Sequence, residues 1–381
     1  MNEVVLNDIC ELIVDCPHST AYDEGSGYPL VRTPNIGRGR LIYSGMHRVC
    51  EEVYNKRNAR AIPQTNDLIF AREATAGNVA LIREGEKVCL GQRTVLIRPN
   101  ANLVNPAFLT YHLLAPEQQY KLLSTANGAT VAHVNMPTIR NLKLSLPPLA
   151  TQHRIATILS RYDSLIENYQ KQIKLLEEAA QRLYKEWFVD LHFPGHENTK
   201  IVDGVPEGWE KKKVGEVIVK VPRSKQIPTK DYQKECAIPI IDQSRDYIAG
   251  YTDDIESRVE SNEPYIVFGD HTRILKYVPF PFAKGADGTQ LIMSNDLDLM
   301  PQCLLFTSLV SVDLSNYSYA RHFKYLKEEE ILVPTASIAN AFSKHVAKWY
   351  AKIQLNREQL RLLTEARDRL LPKLMSGEIE I

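Results

Sequence analysis

Six cysteines (Cys10, Cys16, Cys50, Cys89, Cys236 and Cys303) are scattered singly through 381 residues, with no CxxC pair among them. That spacing excludes a zinc ribbon and a disulfide scaffold, and it predicts reduced thiols. No apolar run approaches the roughly eighteen residues of a membrane span, and MNEVVLNDICELIVDCPHS at the N-terminus has acidic residues where a secretory signal needs basic ones. A cytoplasmic protein without a membrane partner is expected. Net charge is also lacking: 46 Lys plus Arg are cancelled by 46 Asp plus Glu, so an anionic partner must be met by a local patch. There is no GxxxxGK[ST] loop, no GxGxxG and no HExxH, which removes most support for nucleotide hydrolysis, dinucleotide binding and zinc proteolysis. The only Pro-Pro, Pro147-Pro148, lacks the Asn or Asp and the aromatic of an adenine methyltransferase segment, so methyl transfer is not expected of this chain. His192 and His196 have metal-ligand spacing, but Pro194 and Gly195 forbid the helix that would align them. Asp203, Glu210 and Lys212 resemble a nuclease motif in letters only, since they fall in a charged turn and a strand start.

What the chain does have is a repeat. IENYQKQIKLLEEAAQRLYKEWF (166–188) matches IQLNREQLRLLTEARDRLLPKLM (353–375) at an offset of 187, and the same offset carries Leu144 onto Ile331 and Pro147 onto Pro334. Further upstream, Asp8-Ile9 aligns with Glu216-Val217 at an offset of 208, so the second copy is 21 residues shorter. Two units are implied, each a globular domain followed by a long helix. Short β-branched or aromatic runs bounded by turn formers predict strands over 67–70, 79–82, 94–97, 238–241 and 265–268, and proline opens a short helix over 106–114. The fold class is α+β: two globular α/β domains held apart by two long antiparallel helices in a coiled coil, with a pseudo-two-fold repeat. The divisions expected are a first domain (1–148), a central helix (149–190), a turn-rich linker (191–208), a second domain (209–335) and a C-terminal helix with its tail (336–381).

The helices step by three and four. Ile155, Ile158, Tyr162, Leu165 and then Ile173, Leu176 and Leu183 form one seam, with one extra step of four; Phe342, Trp349, Ile353, Leu360, Leu363 and Leu370 form its partner. The domains carry loops rich in hydrogen-bonding side chains. In the first domain these are Arg32, Asn35, Arg38 and Arg40, then Arg72, Thr75 and Asn78. In the second they are Gln243, Arg245 and Tyr247; Thr272 and Arg273; Lys284 and Gln290; and Tyr317, Arg321, His322 and Lys324. Arg suits guanine and Asn or Gln suits adenine, so DNA is the partner these loops fit. Residues 1–148 hold 15 basic and 13 acidic side chains and residues 200–335 hold 17 and 21, so recognition must come from placed groups and not from bulk charge.

LPPLATQHRIATILSRYDSLIE (146–167), LLEEAAQRLYKEWFVDLHFPG (175–195), VPEGWEKKKVGEV (205–217), FAKGADGTQL (282–291) and LLPKLMSGEI (370–379) together resemble the specificity subunit of a type I restriction-modification system. The resemblance spans essentially the whole chain. It implies a non-catalytic prokaryotic subunit with two target recognition domains, each reading half of a split double-stranded DNA site. It also implies two methyltransferase subunits that bind S-adenosylmethionine, and restriction subunits that bring ATP and Mg2+ where they join; no cofactor or metal is expected on this chain. The GTT-like turn of the family appears here as Asn127-Gly-Ala-Thr130, which adds Thr130 and the nearby His133 to the candidate DNA contacts. A coiled-coil scaffold that binds only proteins, and a stand-alone nuclease, are the competing readings.

Overall fold

The structure is a computed structural model that describes residues 2–124, 133–317 and 321–381. The chain divides into unit 1, Met1–Glu167 with Arg361–Ile381, and unit 2, Asn168–Leu360. The helices predicted as separate segments are thus shared between the units, and each unit owns one stretch of both.

Unit 1 contains strands β1 (Asn2–Val5), β2 (Cys10–Asp15), β3 (Tyr28–Val31), β4 (His47–Val49), β5 (Leu68–Ala71), β6 (Val79–Leu81), β7 (Cys89–Leu90), β8 (Thr94–Pro99) and β9 (Lys143–Leu146). Its helices are α1 (Glu51–Arg57), α2 (Pro106–Leu114), α3 (Pro116–Ser124), α4 (Met136–Arg140) and the first part of α5 (Leu149–Tyr184). An antiparallel sheet of order β2-β8-β5-β6 lies against a small mixed sheet of order β4-β3-β7, in which β3 and β7 run parallel. The main sheet is buried on both faces, which is why β5 reads as an unbroken Leu-Ile-Phe-Ala. Leu68 and Phe70 pack with Phe108, Leu109 and Leu159 of the helices, whereas Ile69 and Ala71 pack with Val31 and Leu90 of the small sheet and with Ile36 of the loop after β3. Fully buried side chains of this size contribute roughly 1.5–3 kcal/mol each.

Unit 2 contains β10 (Ile201–Val202), β11 (Val205–Pro206), β12 (Glu210–Lys213), β13 (Ile218–Val219), β14 (Gln226–Ile227), β15 (Ile238–Ile241), β16 (Gly250–Thr252) and β17 (Arg258–Val259), followed by β18 (Tyr265–Gly269), β19 (Leu275–Val278), β20 (Phe282–Gly285), β21 (Thr289–Ser294) and β22 (Glu330–Val333). The helices are α6 (Val214–Val217), α7 (Gln302–Ser311), α8 (His322–Glu328), the end of α5 and the first part of α9 (Ala336–Ser376). Its main sheet, β13-β21-β18-β19, has the same antiparallel order as its counterpart, and β15 runs parallel to β20 as β3 does to β7. The two sequence offsets reappear as register: Asn2 pairs with Leu146 in unit 1 and Glu210 with Val333 in unit 2. The repeat read from the sequence is therefore a repeat of strand pairing.

Two expectations need correction. Residues 191–208 are not a free linker: β10 and β11 form a hairpin around Asp203 and Gly204, both at positive φ, which is the Asp-Gly signal of a tight primed turn. Phe193 and Trp209 on either side are buried in the unit 2 core with ring centroids 4.7 Å apart. The α5 seam is also displaced. Leu165 is 45% exposed, and the buried stripe in unit 1 is Gln152, Ile155, Ala156, Leu159, Asp163 and Ile166, with Ile158 and Tyr162 only half-buried. The reason is that α5 packs against α2 as well as α9, and small or polar residues that a count of apolar letters skips sit on that face. Within each unit the helices run antiparallel. In unit 1, Asp163 meets Arg367 at 2.8 Å and Ile155 packs in one cluster with Leu370, Leu371 and Leu374. In unit 2, Trp187 meets Phe342 at one end and Gln172 meets Asn356 at the other. Ile173, Leu176, Leu183, Phe342, Trp349 and Ile353 all join the unit 2 core, while Leu360 and Leu363 are half-buried.

Candidate nucleic-acid interface

In both units the candidate loops leave one edge of the two sheets, at the carboxyl ends of β3 and β5 in unit 1 and of β15 and β18 in unit 2. The turn that enters β8 or β21 closes that edge. Pairing register equates Ala71 and Thr94 with Gly269 and Thr289, and Val31 and Leu90 with Ile241 and Lys284. The bracing is likewise matched. Buried Thr94 donates its hydroxyl to the Gly91 carbonyl at 2.9 Å, as buried Thr289 does to that of Ala286 at 3.2 Å. Arg72 N–H donates to the Arg93 carbonyl at 2.9 Å, and Asp270 N–H to the Gly288 carbonyl at 2.7 Å. Gly91 and Gly285 each cross the neighbouring loop too closely for a side chain: a Cβ at Gly91 would lie 2.6 Å from the Val31 carbonyl oxygen.

In unit 1 the two predicted loops are stitched together by the residues offered as readers. Thr75 Oγ1 donates to the Thr33 carbonyl at 2.8 Å, and Asn78 Nδ2 to that of Ile36 at 3.0 Å. Asn35 is 2% exposed, with Nδ2 on the Ile42 carbonyl and Oδ1 accepting from Arg32 N–H, so its amide fastens the loop and is not free for a base. Arg32 donates to the Gly45 carbonyl, Arg38 is exposed and donates to that of Leu114, and Arg40 pairs with Glu167. Arg72 is also buried. Its guanidinium donates to Asp15 Oδ2 at 2.8 Å, to the Val134 carbonyl at 3.0 Å and to His133 Nε2 at 2.9 Å. Arg has only donors, so His133 Nε2 accepts and its Nδ1 carries the proton, donating to Glu73 Oε1 at 2.6 Å. Burial, with Arg72 and Arg93 nearby, holds the His133 pKa below the usual imidazole range, in keeping with that neutral tautomer. The other oxygen of Glu73 pairs with Arg93, whose side chain is 61% exposed. Thr130 lies outside the described residues.

In unit 2 all four predicted segments meet, and Gln243 is the hub. Its Nε2 donates to the Asp287 carbonyl at 2.9 Å, its Oε1 accepts from His271 N–H at 3.1 Å, and its carbonyl accepts from Thr272 Oγ1 at 2.7 Å. Asp270 Oδ1 accepts from Phe323 N–H at 2.7 Å, drawing the start of α8 into the same cluster. His322 is 5% exposed, with Nδ1 2.8 Å from the Asp270 carbonyl and Nε2 3.1 Å from that of Tyr317; it is a structural pin and not a surface contact. Arg273, at φ +61°, donates to the Tyr317 carbonyl, and Tyr317 stacks on Tyr325. Tyr247 is half-buried, and both its hydroxyl and its ring are engaged within the unit. Its hydroxyl donates to the Tyr277 carbonyl at 2.6 Å, Arg357 covers its ring, and burial pushes its pKa up to about 12. Gln290 is half-buried on β21, and Lys284 is half-buried on β20, where desolvation lowers its pKa. Arg245, Arg321 and Lys324 are exposed and form no ion pair among the described residues.

Sequence reading missed Asp15, Glu73 and Arg93, whose importance lies in pairing and register. One backbone signal marks the loops: of seven non-glycine residues with positive φ among those described, Ala74, Arg93, Arg273 and Arg321 lie here. Such conformations cluster at functional sites. No group of three His, Cys, Asp or Glu side chains able to hold a metal occurs among the described residues, and no helix is long and apolar enough to cross a membrane.

Residues 1–178 match the family described as the type I restriction modification DNA specificity domain. Over 406 aligned residues the chain is 27% identical to the type I restriction enzyme MjaIX specificity subunit of Methanocaldococcus jannaschii, covering 99% of this chain and 93% of that protein. It is 23% identical to the type I restriction enzyme HindI specificity subunit of Haemophilus influenzae, over 75% of this chain and 80% of that one. Among solved structures, the type I restriction-modification S subunit from M. genitalium matches with a TM-score of 0.63 at 16% identity, covering 98% and 95% of the two chains. At that identity the likeness concerns the fold.

Proposed function

Since the chain belongs to the family of type I restriction-modification specificity subunits, whose work is DNA sequence recognition, we propose that each unit reads one half of a split double-stranded site. The observation that carries this is the repetition of one braced loop cluster, at the same edge of the same sheet, with different side chains in each copy. A pair of unlike readers on like frames suits a bipartite, asymmetric target. The chain performs no chemistry of its own in this reading. It positions two adenine methyltransferase subunits, which bring S-adenosylmethionine, and restriction subunits bring ATP and Mg2+ where they join.

Coexpression with an adenine methyltransferase modification subunit, followed by native mass spectrometry and sequencing of methylated DNA, tests the proposal. Two methyltransferases per chain and methylation confined to a two-part motif are expected. A complex that holds methyltransferase yet methylates without sequence preference would favour a protein-binding scaffold and overturn the reading.

A further inference from the structure

We infer that Arg93 is a specificity-determining residue of unit 1 that reads a guanine edge, buttressed by Glu73; the inference rests on the DNA-reading role proposed above. Arg93 occupies the place that Gly288 has in unit 2, because each precedes the buried threonine that enters the strand and each gives its carbonyl to the first residue after the neighbouring strand. Both backbones are left-handed, at φ +62° and +78°. Glycine adopts that conformation freely and arginine does not. In unit 2 a side chain at this place would strike His271 Cδ2 at 2.6 Å and Gln243 Nε2 at 2.9 Å. In unit 1 the corresponding space is open and an arginine fills it.

The backbone around Arg93 is fixed on three sides, by the Arg72 N–H, by the Thr94 clamp on Gly91, and by Gln92 Nε2 donating to the His18 carbonyl at 2.8 Å. The head group is fixed as well. Glu73 holds it, His133 holds Glu73 at 2.6 Å, Arg72 holds His133 at 2.9 Å, and Asp15 holds Arg72 at 2.8 Å. A guanidinium has five donors in a rigid fork, so one edge can rest on Glu73 while the other faces outward. Two paired acceptors are what that free edge fits, and DNA supplies them as guanine O6 and N7 or as two phosphate oxygens. The Glu73 carboxylate decides between them: it cancels the charge that would draw a phosphate and repels one that comes near, but it costs a neutral base edge little.

The test uses the whole chain in complex with its methyltransferase, with Arg93→Gly and Arg93→Lys. Arg93→Gly keeps the backbone conformation and copies unit 2, so it should fold with an unreduced melting temperature; Arg93→Lys keeps the charge but loses the fork. Methylation is measured on duplexes substituted singly at every position of the target, at several salt concentrations. Both variants should lose discrimination at one G·C pair in one half-site by roughly 10- to 100-fold, with the other half-site and the salt slope unchanged. Even weakening across all sequences with a smaller salt slope, rescued by Arg93→Lys, would identify a phosphate contact and overturn the inference. Unaltered discrimination in both variants would also overturn it, leaving Arg93 as a turn residue. A wild-type complex without sequence-selective methylation would instead overturn the DNA-reading role itself.

Discussion

In unit 1 the inner wall of the loop cluster is ionic: Asp15 holds Arg72, and Glu73 is shared by His133 and Arg93. In unit 2 the corresponding wall is built from Gln243, Asp270 and His322, whose partners are mostly backbone groups. The frame beneath is common to both, with a buried threonine, a crossing glycine and the same strand register. The frame and the reading surface are therefore separable. An ionic wall fails when a buried member such as Arg72 is lost, because Asp15 is then stranded, whereas loss of the exposed Arg93 leaves Glu73 on His133. A wall pinned to carbonyls fails gradually, at about 1 kcal/mol per bond.

The largest effect that would break this comparison comes from replacing a whole domain. If the frames are equivalent and the readers independent, exchanging residues 1–148 for those of a relative should replace one half of the methylated motif completely and leave the other half intact. Sequencing of methylated DNA reads both halves at once. Alteration of both halves would show that the units do not read separately.

Next come the helix seams. Asp163 and Arg367 stand where the repeat puts Tyr350 and Ala180 in unit 2, so one level of the seam is an ion pair in unit 1 and an apolar contact with a hydroxyl in unit 2. Asp163 also accepts from the Tyr111 hydroxyl at 2.6 Å, and that carboxylate helps keep the Tyr111 pKa high, after burial itself. Arg367→Ala should cost about 3 kcal/mol in chemical denaturation, because it leaves a largely buried carboxylate without its counter-ion. Asp163→Asn combined with Arg367→Ala should recover part of that loss.

A pH dependence of similar size distinguishes the units. His112 on α2 is 3% exposed, stacks on Phe108, and has its pKa pushed down to about 4 by burial. The unfolded chain binds that proton near pH 6.5, so stability from this group is full above about 6.5 and falls as the pH drops toward 4. The loss should reach about 3 kcal/mol in unit 1. His112→Leu should flatten melting temperature against pH over that window, and an unchanged slope would place the acid sensitivity elsewhere.

Glycine substitutions probe the frame more gently. Gly91→Ala meets the Val31 carbonyl oxygen, and Gly285→Ala meets the Tyr232 hydroxyl, which can turn away, and Asp242 Cβ at 2.5 Å, which moves only with its backbone. Both overpack, by about 1–3 kcal/mol and by similar amounts. Unequal losses by thermal unfolding would mean that the two crossings are not equivalent in stiffness.

The sequence made the frame legible because repetition survives in letters: offsets of 187 and 208 became matched strand registers, and 106–114 became helix α2 with its boundaries intact. It made the surface only partly legible. Asn35, Arg72, Tyr247 and His322 have the chemistry of DNA contacts but spend it inside the protein, since a loop must satisfy its own polar groups before it can present any. Gln92-Arg93-Thr94 looks ordinary in sequence, and its backbone conformation shows only once β5 and β8 are paired. The α5 seam was misplaced by one residue because Gln152, Ala156 and Asp163 line the buried face without being large or apolar.

The smallest expected effect concerns the polar residue in the unit 2 seam. Asn356 is fully buried on α9; its Nδ2 donates to Gln172 Oε1 at 3.2 Å, while its Oδ1 has no partner among the described residues. A buried asparagine at a seam position typically fixes the register of paired helices at a cost in stability. Unit 1 has its Asp163–Arg367 ion pair between the same helices, so each unit carries a buried polar contact in its seam. Asn356→Leu removes the stranded oxygen and fills the level with apolar surface, which should stabilise unit 2 by about 1 kcal/mol. For a unit of this size the melting temperature should rise by about 2–4 °C. Calorimetry on the whole chain would resolve the shift if the units melt separately. A lower melting temperature would mean that Asn356 Oδ1 is satisfied by ordered water, and that the asparagine contributes stability as well as register.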